Sequence, residues 1–478
     1  MAIQYLAANR FGLGRRFDDA PSAGHPRDAL LRQLDQFDPA PPPIAALASR
    51  IEIAEAYVDY REDRAAARRP AKTGMAADDG AMDAAIDRQR LSRSAIRDHY
   101  IAATNARLAS AVDTSTPFPE RLSHFWANHF AVSTDKLPVI GFAGNYEFEA
   151  IRPNIMGNFS DLLIAAVRHP AMLLYLDQAQ SFGPESPVAA RIRRRRGKQG
   201  PGLNENLARE IMELHTLGVR TGYTQADVIA FAKALTGLTV AGLGRGAGQR
   251  LMPADARPGD TVFIDRLHEP GGQTILGRRY GQPGTAQAEA VLRDLAVHPA
   301  TAHHIATKLA RHFAGDAPPA PLVDRLAQNF QETGGDLPAL YRTLLASPEP
   351  WSDELAMFKS PWDWTVSMLR GLGIDALGRR QNVAALFSQL GQPVWRPGSP
   401  AGYDDLVATW AGSAALMQRV ELASRVAGRV GDRADARTLA TLLLADALTP
   451  ATGQAIARAD SSGQGLAMLF ATPTFLRR

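Results

Sequence analysis

The sequence has no cysteine. That absence removes disulfides, thiolate metal sites, iron–sulfur clusters, cysteine nucleophiles and covalent c-type haem attachment together. A metal would have to be held by His, Asp, Glu, Asn or backbone oxygen, and nothing in the sequence names a metal or a cofactor. Long apolar runs are missing too. No stretch of about 18 uncharged apolar residues occurs, so no membrane span is expected. Net charge is small: 53 basic and 49 acidic residues leave +4, which gives no general electrostatic case for nucleic acid. The familiar catalytic signatures are also absent. There is no GxxxxGK[ST] loop, no GxGxxG after a strand, no GxSxG elbow, no HExxH and no EF-hand loop. No internal repeat is found. The first ten residues lack the basic and long apolar regions of a signal peptide. As the sequence stands the expectation is a cytoplasmic protein, with a periplasmic or exported one left open.

What is present is a globular composition, 45% hydrophobic and 21% charged over 478 residues, far from the disordered corner. A chain of this length buries enough surface to need no staple. The pattern predicts an all-α fold with a small β-hairpin insertion near 261–277. Two helical lobes, 1–285 and 286–478, are expected to pack as one large domain. Residues 44–110 read as long helices with wide solvated faces, loosened around 69–79. Leu122, Phe125, Trp126 and His129 follow i, i+3, i+4, i+7 and share one helix face. Asn158 or Ser160 caps a helix over 160–167, and residues 204–217 form another, with Gly218 where a left-handed residue ends it. Thr224-Gln-Ala-Asp227 is a capping-box start. The strand candidates 261–264 and 273–276 are expected to pair with each other across Pro270-Gly-Gly272.

The densest polar segment is Asn204-Glu-Asn-Leu-Ala-Arg-Glu-Ile-Met-Glu-Leu-His215. On a helix Glu205, Arg209 and Glu213 share one face, Asn206, Glu210 and Glu213 another, and His215 points elsewhere. Such a face can supply a carboxylate base, an anchoring arginine and a metal ligand. The plainer reading is an i, i+4 ion-pair ladder, each rung contributing about 0.2–0.5 kcal/mol. The preceding Arg191-Ile-Arg-Arg-Arg-Arg-Gly-Lys-Gln-Gly-Pro-Gly202 reads as a basic loop, solvated or able to contact an anion. In His124-Phe-Trp-Ala-Asn-His-Phe130 the two histidines lie about 140° apart on a helix and cannot easily share a metal. His129 faces the core beside Trp126, and Asn128 and His129 gain weight only if a carboxylate faces them, Glu147 or Glu149, followed by Arg152. His268-Glu269 reads as a turn closure, and Lys308, Arg311 and His312 as a solvated helix edge. The aromatics of 358–364 and 395–403 stand beside Pro and Gly, as groove linings or as loop anchors.

Phe125-Trp-Ala-Asn-His-Phe130, Glu149-Ala-Ile-Arg-Pro153, His169-Pro-Ala-Met-Leu-Leu-Tyr-Leu-Asp177, the segment from Asn204 to Gly218, and Gly222-Tyr-Thr-Gln225 together resemble the bacterial domain of unknown function 1800 family. Lys308-Leu-Ala-Arg-His-Phe313, Lys359-Ser-Pro361 and Ser399-Pro-Ala-Gly-Tyr403 extend the resemblance over nearly the whole chain. The resemblance implies a largely helical protein. It also implies genes that often neighbour a second uncharacterised family resembling secreted phosphatases and sulfatases. The arginine run before Asn204 departs from many relatives, which puts a family-wide role for it in doubt.

Two functional expectations follow. One is an enzyme whose cleft gathers His129, Glu149, Arg152, Arg209, Glu210, Glu213 and His215 as reacting groups. Glu213 or Glu210 would be the base, Arg209 or Arg152 the anion holder, and His129 or His215 the proton carrier or metal ligand. Trp126, Asn128, Asn204 and Asn206 would bind a polar or anionic substrate. The other is a non-catalytic partner of a neighbouring secreted phosphatase- or sulfatase-like protein, which would expose a large apolar patch near the aromatic loops.

Overall fold

Proline at a first helical turn or a short polar residue just before it sets many of the helix starts in this chain, and Asp336, Ser360 and Thr449 combine the two. In the computed structural model, which describes residues 3–19, 24–73, 79–196, 202–244, 246–374 and 382–478, the fold is mostly α-helical, as the periodicity predicts. Pro117–His129 is one such helix, and Leu122, Phe125, Trp126 and His129 are all buried along it. Asn158, rather than Ser160, caps Phe159–Arg168 by accepting the Ser160 N–H at 2.9 Å. The Thr224–Asp227 capping box is complete at the start of Gln225–Leu235.

Two long helices, Arg50–Thr73 and Asp79–Asp113, pack along each other. The loosening expected around 69–79 is not seen as far as Thr73, where the backbone is still helical; residues 74–78 lie outside the described residues. The basic loop expected from Arg191 is a correction. Pro187–Arg196 is a helix, because the Ala-Arg-rich run has high helix propensity and no breaker before Gly197. Arg193 pairs there with Glu185 at 2.8 Å, and residues 197–201 lie outside the described residues.

The β-structure is small and paired differently from the expectation. β1 (Leu238–Val240) pairs antiparallel with β2 (Thr261–Phe263), while β3 (Gln273–Ile275) pairs with β4 (Arg278–Tyr280). Leu276 and Gly277 link β3 to β4 with φ of 49° and 76°, as a two-residue hairpin turn needs. Leucine is a poor residue for that conformation. Asp227 stabilises it by accepting the Leu276 N–H at 2.7 Å.

Among the described residues three stretches widen into π-turns: Ala7–Phe11, Glu147–Ile151 and Ile211–His215. The main hydrophobic core is continuous from Tyr5 to Leu476 and draws on helices before and after residue 285. Pro361–Leu372 is buried on every side from Pro361 to Gly371, and Phe11 stacks on Phe313 with ring centroids 5.5 Å apart. Buried arginines act as carbonyl clamps. Arg370 donates to Gly14, Ala111, Val112 and Thr114, satisfying backbone oxygens that loops would leave unpaired. Among the described residues no helix is long and apolar enough to cross a membrane.

Candidate functional site

Where the Pro117–His129 helix, the Pro299–Ala314 helix, the start of Pro361–Leu372 and the loop 392–406 meet, they enclose a cavity of about 330 Å³. This is room for a small molecule. The Pro299–Ala314 helix is amphipathic in two senses. Ala302, Ile305, Ala306, Leu309 and Phe313 turn to the core. His304, Lys308, Arg311 and His312, at i, i+4, i+7 and i+8, line the cavity.

Lys308 is half-buried, and its ammonium makes no hydrogen bond or ion pair with any described residue. Loss of water pushes its pKa down to about 8; Arg311 adds to that effect and Asp405 opposes it. One turn on, His312 Nδ1 is hydrogen-bonded to Asp405 Oδ2. Asp405 also meets Arg478 Nη2 at 3.3 Å, and Asp363 links Arg478 Nε at 3.4 Å to Arg121 Nη1 at 3.1 Å. Burial pushes the Asp405 carboxyl up, but His312 and Arg478 outweigh it and hold it at about 2. Burial lowers the His312 pKa, with Asp405 resisting. An ionised Asp405 can only accept, so the Nδ1 of a neutral His312 donates and Nε2 keeps its lone pair. That Nε2 is buried and has no partner among the described residues.

Two further histidines are set by backbone. His129 Nε2 lies 3.1 Å from the His215 carbonyl and His304 Nε2 3.0 Å from that of Leu214. Both oxygens belong to the π-turn that ends the helix begun at Asn206, where carbonyls lack intrahelical partners. A carbonyl can only accept, so each Nε2 donates and each Nδ1 holds the lone pair. Burial, reinforced by Lys308, lowers the His304 pKa to about 4 and the His129 pKa well below its ordinary value.

The aromatic wall is equally fixed. Glu147, fully buried on its π-turn, receives Arg107 Nε on both oxygens, at 2.8 and 2.9 Å, and Trp395 Nε1 at 2.6 Å. Arg107 lies over the Trp362 ring, 4.3 Å from its centroid. Asn128 grips the opposite loop with two hydrogen bonds, Nδ2 to the Tyr403 carbonyl and Oδ1 from the Tyr403 N–H, both 2.8 Å. Gly402 makes this approach possible: it adopts φ of 83°, and a Cβ there would lie 2.3 Å from the Asn128 carbonyl oxygen.

The expected site residues are not gathered in one place. His129 and Asn128 line the cavity; Trp126 lies behind it, its Nε1 donating to Tyr341 Oη at 2.6 Å. His215 is fully buried, its ring centroid 6.0 Å from that of His129, and neither ring nitrogen has a partner among the described residues. Arg152 is buried against Glu120 at 2.8 Å and donates to the carbonyls of Pro39 and Asp38. Arg209 meets Glu205 at 3.1 Å and Glu213 at 3.6 Å, the expected ladder. Burial and Glu213 raise the Glu210 carboxyl, with Arg209 opposing. Asn204 Oδ1 accepts the Asn206 N–H at 2.9 Å and so starts the helix. Glu149 lies at a separate hollow of about 640 Å³ with His169, Arg50 and Arg168. His268 and Glu269 close onto Thr236, which takes the Glu269 N–H at 2.8 Å.

Lys308, Arg311 and His312 are the residues that sequence reasoning placed wrongly, on a solvated edge. The signal was their spacing from His304, which makes a polar stripe opposite the apolar one. The partner Asp405 follows directly on the Ser399–Tyr403 segment, but nothing local announces that it meets His312, 93 residues away. Both readings of the aromatic loops are met in part: Trp362, Trp395 and Tyr403 line the cavity, while Phe358 and Trp364 are buried anchors, Trp364 Nε1 donating to the Phe470 carbonyl at 3.0 Å.

Among the described residues no three His, Asp or Glu side chains converge as a metal-ligand set. Segments 125–130, 308–313, 359–361 and 399–403, which carry the family resemblance, all supply cavity walls or adjoin them, and 204–218 backs it. No curated protein and no solved structure matches the chain. The family model described as Protein of unknown function (DUF1800) matches residues 6–477, and the chain belongs to that family.

Proposed function

We propose that the protein is an enzyme acting at this cavity on a small polar or anionic molecule, with His312 as the acid–base group and Asp405 positioning it. The observation that carries the reading is the His312–Asp405 pair in the wall of a cavity that also holds Lys308, which has no partner among the described residues. An imidazole whose Nδ1 is fixed by a carboxylate is oriented to take a proton at Nε2 and return it. Lys308 and Arg311 favour a negative charge on the ligand, and Trp362, Trp395 and Tyr403 offer a flat apolar body a surface. The side chains first expected to react, Arg152, Arg209 and Glu213, have charged partners of their own, which weighs against their acting on a ligand.

The partner reading draws no comparable support. The aromatics of the 358–364 and 395–403 loops turn inward, and the exposed large apolar residues Phe17, Leu91, Val219, Val297, Met417 and Val420 belong to other segments. The test is to incubate the wild-type chain and His312→Asn with extracts of small metabolites and follow consumption by mass spectrometry. The expected result is at least one polar or anionic compound consumed by the wild type and spared by the variant. Equal consumption by both proteins, or by neither, counts against the proposal.

A further inference from the structure

The chain spends lysine sparingly: six of its 53 basic residues are lysine. Arginine serves for ion pairs, carbonyl clamps and ring stacking throughout the fold, as Arg152, Arg370 and Arg107 show. What lysine offers and arginine does not is a nitrogen that can lose its proton and attack carbon. Lys136 pairs with Asp177, Lys233 with Glu269, and Lys359 donates to Asn9. Lys308 has no such partner among the described residues and stands in the cavity with His304 one turn before it and His312 one turn after. With no cysteine in the chain, it is also the strongest nucleophile available to this site.

We infer that Lys308 is a nucleophilic amine that forms an imine with the carbonyl group of a small substrate carrying a negative charge, an aldehyde or 2-oxo acid with a flat apolar body. The inference rests on the cavity being the site of reaction. The unprotonated Nζ adds its electron pair to the carbonyl carbon, and the carbonyl oxygen takes a proton. His312 removes the proton left on nitrogen and supplies one to the departing oxygen. The carbinolamine then loses water, closing the C=N bond, and hydrolysis retraces the same steps. No oxidant or reductant is consumed. The negative group of the substrate would meet Arg311, and the flat body the Trp395–Tyr403 wall. Burial lowers the Lys308 amine, Asp405 on the facing loop opposes this and Arg311 on its own helix adds to it. His304 and His312 on that helix and His129 and His215 behind it are the other titratable groups around it, and His304, His129 and His215 are themselves lowered by Lys308. The outcome is a usable fraction of free amine near neutral pH, where an ordinary lysine has almost none.

The test uses the full chain, 4-formylbenzoate and sodium cyanoborohydride, with peptide mass spectrometry. At pH 7 the benzyl adduct should form on Lys308 at least about ten-fold faster than on any other lysine. Its rate should rise with pH to a midpoint near 8, and terephthalate, which has no aldehyde, should slow it. Lys308→Arg should fold with an unchanged melting temperature and lose the fast phase. Modification of Lys308 no faster than that of the other lysines would overturn the inference. If terephthalate nevertheless raises the melting temperature of the wild type and not of Trp395→Ala, the cavity still binds its ligand class and only the covalent step falls.

Discussion

Two helices carry most of the ionisable residues that drew attention, and they use them in opposite ways. On the half-exposed face that runs from Glu205 through Arg209 to Glu213, charge is answered by charge in a chain of contacts. Along Pro299–Ala314, Lys308 and the second ring nitrogen of His312 have no partner among the described residues. Polar residues are as dense in one as in the other. What separates them is whether the surrounding fold completes their interactions. A completed set holds structure together, whereas an incomplete one in an enclosed hollow is available to a ligand.

The sharpest break of this contrast is at His312. His312→Asn should lower turnover of the cognate substrate by about 10²–10⁴-fold. Asp405→Asn should lower it less and displace the acid limb of the rate profile, as expected of a residue that positions the base rather than replacing it. Wild-type rates in both would erase the distinction between the two helices. Next in size is the completed set at its most buried. Glu120→Ala leaves Arg152 in the interior without its carboxylate, and urea unfolding should show a loss of about 3–5 kcal/mol. A loss below 1 kcal/mol would mean that the carbonyls of Pro39 and Asp38 suffice.

The third test concerns protons. Burial holds His215 at about 3 and His169 at about 3, both below an ordinary histidine. The unfolded chain therefore binds these protons first. Their contribution to stability is complete above about pH 6.5 and is lost as pH falls toward 3, by up to about 1.4 kcal/mol per pH unit for each group. Unfolding followed between pH 6 and 4 should show this slope, and His215→Phe should reduce it by about one proton. An unchanged slope would show that His215 is not held neutral. The smallest effect is on the ladder: Glu213→Ala should cost only about 0.2–0.5 kcal/mol and leave turnover unchanged. A large loss of activity there would return that helix face to the active site.

Periodicity made the helical fold readable, because an apolar residue every third or fourth position has one solution. Leu122, Phe125, Trp126 and His129 lie on the buried face their spacing predicts, and the ladder from Glu205 to Glu213 is there. The strand pairing was not readable. Three-residue strands carry too little pattern to choose a partner, and the β3–β4 turn depends on Asp227, some fifty positions away. The cavity was legible only in pieces. Its histidines and aromatics could be singled out, but the His312–Asp405 contact joins segments that no local spacing relates. Lys308 looked solvated because a helix facing a hollow and a helix facing bulk water have the same polar stripe.

The π-turn at Ile211–His215 has a consequence for how this protein tolerates change in length. It amounts to one residue more than a regular helix would use over the same rise. Deleting Met212 would let the segment close to an ordinary helical turn while the chain beyond it kept near its present direction, because the residue removed is the one the widened turn absorbs. What would change is the widened turn itself, whose Leu214 and His215 oxygens now hold His304 and His129. Both rings would lose their bearing although no residue lining the hollow had been altered, so the geometry of the cavity depends on the length of a turn behind it.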